Sequence, residues 1–129
     1  MTNPSNSEEI SVYARQSIHY IQNAIKFLEQ EEYEKACEFI WGSMAEAMKA
    51  VAQSKGIELK MHADLWKYAR GISKELDDKN IYDAFVKASA LHSNFYETNL
   101  NEVDIRILAK DVAQIVAKLL DLLGLRLPL

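Results

Sequence analysis

Residues 91–97, LHSNFYE, bring His, Ser, Asn, Tyr and Glu side chains, able to move protons or hold a ligand, into one heptapeptide. A histidine in such a position, here His92, is the usual general acid or base near neutral pH. Tyr96 follows it at i, i+4, so phenol and imidazole can meet on one side of a helix. Asn94 and Glu97 add further donors and acceptors. In the functional reading, His92 exchanges the proton, Tyr96 orients it, and Asn94 and Glu97 line a small cleft. The same four side chains also suit a polar clamp in the core, with His92 bonded to a neighbouring helix and Glu97 tying the next loop.

A basic stripe is the second signal. Lys67, Arg70 and Lys74 fall in one narrow helical sector, opposite Leu65, Ile72 and Leu76. Residues 49–79 hold seven Lys and Arg against five Asp and Glu, although the whole chain carries −4. That segment can meet phosphates on an otherwise acidic protein. Its plainer reading is a solvated face laced to Glu75 or Asp78.

Other chemistries lack their residues. The four glycines (Gly42, Gly56, Gly71, Gly124) are too far apart for a dinucleotide fingerprint or a P-loop, and no Gly-x-Ser-x-Gly elbow occurs. No His has Glu three residues before it, as a di-iron bundle would need. Cys37 stands alone, which excludes an intrachain disulfide and a cysteine-based zinc site and fits a reducing, cytoplasmic setting. Neither metal nor cofactor is expected. His62, with Glu58 four residues before it across a loop, reads as a surface or capping residue.

The elements that must position these residues are helices. With 129 residues, 49% of them hydrophobic and 26% charged, the chain reads as one soluble domain, 1–129. Four Gly and two Pro leave little material for the turns of a many-stranded fold. Ile10, Ala14, Ser17, Ile21, Ala24 and Leu28 recur at spacings of 4, 3, 4, 3, 4, and Tyr33, Cys37, Ile40, Met44, Ala47 and Val51 repeat them. The acidic break 29–32 between these stripes predicts a tight antiparallel hairpin, with a disordered lead 1–6, a cap at Asn6 or Ser7, and Gly56 closing the second helix. A third helix starts near 62–64 and ends around 77–79, with Leu65, Ala69, Ile72 and Leu76 inward. A fourth, capped at Asn80 with Asp83, carries Ile81, Phe85, Ala88, His92 and Phe95. A fifth, capped at Asn99 with Glu102, runs to Gly124 on Ile105, Leu108, Val112, Ile115, Leu119 and Leu122. The expectation is an all-α, up-and-down four-helix bundle with an additional fifth helix.

The fifth helix has a second apolar row, Val116, Leu120 and Leu123, and the chain ends in an apolar tail, 125–129. A helix apolar over so much of its girth is either central or contacts a second subunit, so a homodimer or higher homo-oligomer is expected. The stretch 112–125 is interrupted by Lys118 and Asp121 and is too short to cross a membrane, and MTNPSNSEE is no signal peptide.

The segments EYEKACEFIWGSMAEAMKAVAQSKG and ALHSNFYETNLNEVDI, with the acidic hairpin turn, resemble the archaeal PaREP-type family, placed in the HEPN superfamily. The resemblance covers roughly residues 10–120 and rests most on Ala36, Glu38, Trp41, Lys49 and Gly56 and on Leu91, His92, Asn94, Phe95, Tyr96 and Glu97. It implies a HEPN-like bundle paired as a dimer. It also implies a role as ribonuclease, as partner of a nucleotidyltransferase in a toxin–antitoxin arrangement, or as an RNA- or nucleotide-binding or assembly module. Catalytic HEPN proteins carry Arg, four to six residues, then His. The nearest match here is Lys87, four residues, His92, and on one helix those two side chains point about 140° apart. Lysine also lacks the bidentate phosphate fork of arginine. The resemblance therefore implies binding of RNA or a nucleotide near Lys87, His92, Asn94, Tyr96 and Glu97 more than strong metal-independent ribonuclease activity. Its alternative is a non-enzymatic assembly protein with a structural LHSNFYE clamp.

Overall fold

Five helices follow one another: α1 (Pro4–Glu29), α2 (Tyr33–Ser54), α3 (His62–Glu75), α4 (Lys79–Glu97) and α5 (Glu102–Asp121). The computed structural model describes residues 4–97 and 100–127, with side chains described at all of these except 4–6 and 94–97. Among the described residues there is no strand, and the all-α expectation holds.

The helix ends show how local chemistry sets the boundaries. α1 begins at Pro4, so it takes in residues 4–6 of the expected lead and starts ahead of Asn6. Proline suits a first helical position, where its missing N–H costs nothing. α1, α2, α3 and α5 each close with a left-handed residue: Glu31, Gly56, Asp77 and Gly124. At each, a backbone N–H reaches five residues back, as in Ile57 to Ala52 at 2.9 Å and Asp78 to Ser73 at 2.9 Å. The turn at Asp77 ends α3 at Glu75, short of 77–79, and leaves Leu76 exposed rather than inward.

Two caps lie elsewhere than the spacing suggested. Asp78 caps α4, its Oδ1 accepting the Asn80 N–H at 3.0 Å, so Asn80 is inside the helix. α5 is capped by Asn101, whose Oδ1 accepts the Asp104 N–H at 2.9 Å while the Asp104 carboxylate accepts the Asn101 N–H at 3.4 Å. The expected Asn99 falls outside the described residues.

Asp64 opens α3 by accepting the backbone N–H groups of Met61 and Lys60, each at 3.0 Å. Those two bonds, Met61 first, hold its carboxyl below the ordinary value of 3.8. A carboxyl depressed on folding contributes stability above its unfolded pKa and loses that contribution as pH falls through the folded value. Asp64→Ala is therefore expected to lower the urea midpoint at neutral pH, with the gap to wild type closing as pH drops below about 4. A gap independent of pH would contradict this.

α2 is the central helix, packed against all four others, whereas α3, among the described residues, touches only α2 and α4. The buried positions of α2 cover more than half of its circumference, from Ala36, Cys37 and Ile40 to Met48, Val51 and Ala52. Ala14, Ile21 and Ala24 of the α1 stripe and Cys37, Ile40, Met44, Ala47 and Val51 of the α2 stripe enter one core with Phe85, Leu91, Val112 and Leu119, while Ile10 at the start of α1 is not part of it. Val116 and Leu120 are fully buried in that same core, and Leu123 packs against it. The second row of α5 thus lines the chain's own interior instead of a subunit contact, because α5 is wedged against α1, α2 and α4. The exposed apolar side chains of α5 are Val103 and Ile107. Of the tail, Leu127 packs on the core and Leu125 is exposed, while residues 128–129 fall outside the described residues. No helix among the described residues is long and apolar enough to cross a membrane.

Candidate functional site

The site is assembled where α2, α3 and α4 meet. On α2, Glu38 and Trp41 are spaced i, i+3 and share a face. His92 comes from the last turns of α4, and His62 is the first residue of α3. The His92 imidazole stacks on the Trp41 indole at 5.1 Å between centroids and 22° between planes. His62 meets the same indole edge-on at 5.7 Å and the His92 ring at 6.4 Å. Phe85 supports Trp41 from within the core at 5.5 Å and also packs at 4.7 Å on Trp66.

His92 is held in a particular way. Its Nδ1 is buried without a hydrogen-bond partner, yet the Glu38 Oε2 lies 3.4 Å from it. That distance is within reach of an ion pair and long for a hydrogen bond. A carboxylate on this side favours the proton on Nδ1, which leaves the Nε2 lone pair for a ligand. The imidazole side chain is 36% exposed and that of Glu38 47%, so the dyad is open to solvent on one side. His62 is exposed. The arrangement offers two imidazoles, one oriented by a carboxylate, around a buried indole.

The basic stripe lies on the helix that carries His62. At 100° per residue, His62, Trp66, Arg70 and Lys74 advance by only 40° at each step, a shallow row about 18 Å long. Glu75 is taken by Lys55 at 2.9 Å, and Asp78 pairs with Lys118. The carboxylates expected to lace the stripe are thus engaged elsewhere, and Lys67, Arg70 and Lys74 have no ion-pair partner among the described residues. Arg70 and Lys74 border a shallow cavity of ≈ 370 Å³ with Lys79, Tyr82, Asp77 and Asp83, and Trp66 meets Tyr82 at 6.2 Å.

Lys87 is placed otherwise. Its ammonium donates to Asp111 Oδ2 of α5 at 2.8 Å, beside a small polar cavity, so its charge is spent on a helix contact. Asn94, Tyr96 and Glu97 lie outside the described side chains. Two other potential nucleophiles or acids are withdrawn: burial pushes the Cys37 thiol up to about 11, and burial with the nearby Glu75 pushes the Tyr68 phenol up to about 12. No group of three or more His, Cys, Asp or Glu able to hold a metal ion occurs among the described residues.

Spacing alone singles out His92, but not its three neighbours here. Glu38 and Trp41 stand out in the sequence only as residues that carry the family resemblance, and His62 reads as a surface position. It is a surface position, and also a wall of the site. The one local cue is the i, i+3 pairing of a carboxylate with a tryptophan on α2.

The profile of the archaeal PaREP1/PaREP8 family matches residues 12–116. The fold is similar to that of a crystal structure of a protein from Sulfolobus solfataricus, with a TM-score of 0.72 and 22% identity, over 82% of this chain and 94% of that one. No curated protein matches the chain.

Proposed function

The chain belongs to the archaeal PaREP1/PaREP8 family, and for it we propose a binding function: a HEPN-like module that takes single-stranded RNA or a nucleotide at the His92–Trp41–His62 cluster. One observation carries this reading. His92 is stacked on an indole with its buried nitrogen turned to Glu38, so its other nitrogen is left for a ligand at an aromatic surface. Aromatic faces with nearby cations are what unstacked bases and their phosphates bind. The row His62, Trp66, Arg70 and Lys74 continues from that cluster, and its uncommitted cations with Lys67 supply the phosphate contacts. Asn94, Tyr96 and Glu97, which follow His92 on α4, belong to the same proposal as further lining of the cleft, whereas Lys87, held by Asp111 of α5, does not. A nucleotidyltransferase partner and a homodimer belong to the same proposal.

The test is fluorescence anisotropy of a labelled single-stranded RNA at low and moderate salt. Saturable binding that weakens with salt is expected. His92→Ala should cost about tenfold or more, as for a lost stacking and hydrogen-bonding partner, and Arg70→Ala/Lys74→Ala should reduce the salt slope by about 1 to 2.

A second reading, a non-enzymatic assembly protein, is favoured by Val103 and Ile107, which expose a paired apolar patch at i, i+4 on α5. In that case His92→Ala lowers stability by about 1–3 kcal/mol, as for a broken polar clamp, and RNA does not bind.

A further inference from the structure

We propose that the cavity between the α2–α3 connection and α3 is a binding site for a small organic cation, an amine with an apolar body. Local chemistry builds the cavity. Gly56 ends α2 in a left-handed turn with the Ile57 N–H bonded to the Ala52 carbonyl, and Asp64 accepts the N–H groups of Lys60 and Met61. The residues between these two anchors, 57–59, enclose with Tyr68, Gly71 and Ile72 a space of ≈ 500 Å³. That volume is of the size that small-molecule sites occupy. On α3 the cavity residues centre about 150° away from the row His62, Trp66, Arg70 and Lys74. The site is therefore separate from the proposed RNA surface and stands apart from the binding function above.

Three observations point to a ligand and to its chemistry. Gly71 lies within α3, where glycine is the least favourable residue after proline. Its φ is not positive, and a Cβ built on it would meet nothing within 4 Å. Neither backbone nor packing calls for glycine there, whereas an open cavity wall does, since a side chain would take up the space. The Tyr68 hydroxyl, in the same wall, is buried without a hydrogen-bond partner among the described residues. Buried polar atoms are nearly always paired, and an ammonium N–H donated to this oxygen supplies the missing bond. The charges then fix the sign of the ligand. Among the described residues, the carboxylates of Glu58, Asp64 and Glu75 line the cavity against the single ammonium of Lys67. Even with Lys55 paired to Glu75, negative charge is in excess, and Glu58 has no ion-pair partner among the described residues. Ile57, exposed at the rim, and Leu59 and Ile72 offer the apolar surface for the body of the amine.

The experiment is a nuclear magnetic resonance titration of the ¹⁵N-labelled full chain with 2-phenylethylamine, and in parallel with 3-phenylpropionate, which has a similar apolar body and the opposite charge. Expected are saturable amide shifts confined to residues 57–59 and 64–75 with the amine, and binding of the acid about tenfold weaker. Tyr68→Phe should weaken the amine about fivefold, as for a lost hydrogen bond to a charged group. Glu58→Gln, at an exposed position, should weaken it about threefold and narrow the gap between amine and acid. Gly71→Leu fills the cavity and should abolish amine binding while RNA binding stays at the wild-type level. Gly71→Ala, the milder variant if Gly71→Leu fails to fold by circular dichroism, should weaken the amine and raise the urea midpoint, because the glycine serves the cavity and not the helix. No saturable shift up to about 10 mM amine overturns the proposal. Equal or tighter binding of the acid overturns the charge assignment. Amine binding undiminished in Gly71→Leu overturns the placement. None of these outcomes touches the RNA reading, which has its own test.

Discussion

Replacing Phe85 with alanine is expected to lower the stability of the fold by about 3–5 kcal/mol, the range for emptying a large aromatic from a closed core. The ring is fully buried and touches two tryptophans, Trp41 at 5.5 Å and Trp66 at 4.7 Å. Its removal takes away a shared edge between α4, α2 and α3, and among the described residues α3 leans on no helix besides α2 and α4. Against a total of about 5–15 kcal/mol for an ordinary domain, that loss approaches half of the whole. It should also reach the site, since Trp41 is the surface on which His92 stacks and its own support is Phe85. Urea unfolding followed by tryptophan fluorescence reports both effects at once, because both tryptophans of the chain lie against this ring. Phe85→Leu, which leaves a smaller void, should cost well under half as much. A loss below about 1 kcal/mol for Phe85→Ala would mean that the three helices close over the gap, against the rigid packing described here.

The unequal legibility of this protein has a physical origin. Periodicity reports which face of a helix is apolar, and that was enough for Ile21, Ile40, Met44 and Phe85, all fully buried where the stripes placed them. It does not report what lies opposite. Val116 and Leu120 therefore read as readily for a second subunit as for the interior, and only the wedging of α5 between its neighbours decides for the interior. Boundaries were less legible because several residue types compete for each cap. Asp78 and Asn80 are both good candidates, and Asp78 prevails, its carboxylate receiving the Asn80 N–H and also meeting Lys118 of α5. Leu76 fits the inward stripe of α3 until Asp77 takes a left-handed conformation and ends the helix before it. The site follows the same logic. His92 is conspicuous within its own heptapeptide, whereas Glu38, Trp41 and His62 come to it from other helices, and no local spacing encodes such a meeting. The carboxylates around the basic stripe gave a misleading local picture, since Glu75 and Asp78 bind lysines from α2's end and from α5 in preference to those one turn away.

The α1–α2 contact carries the second large effect, and it arises from small residues. Ser17 and Ser43 are fully buried, and each hydroxyl donates to the other residue's carbonyl, at 2.7 and 2.8 Å. Such a clasp is possible only where the two backbones approach closely, and the adjoining Gly42 shows the same closeness: a Cβ there would meet the Tyr20 ring at 2.9 Å. Ser43→Leu should therefore cost about 2–4 kcal/mol, from overpacking together with the lost hydrogen bond to Ser17. Ser43→Ala keeps the space and loses only the hydroxyl, so about 1 kcal/mol is expected. The difference between the two variants, read from urea midpoints at one temperature, isolates the cost of forcing the helices apart from the cost of the bond. Ser43 and Trp41 point about 160° apart on α2, so the clasp and the site occupy opposite sides of the same central helix. RNA binding by Ser43→Leu, measured well below its melting temperature, should then stay close to wild type while its stability falls. Loss of both together would show that α2 transmits the disturbance across its axis, and that α1 helps set the position of Trp41 beneath His92.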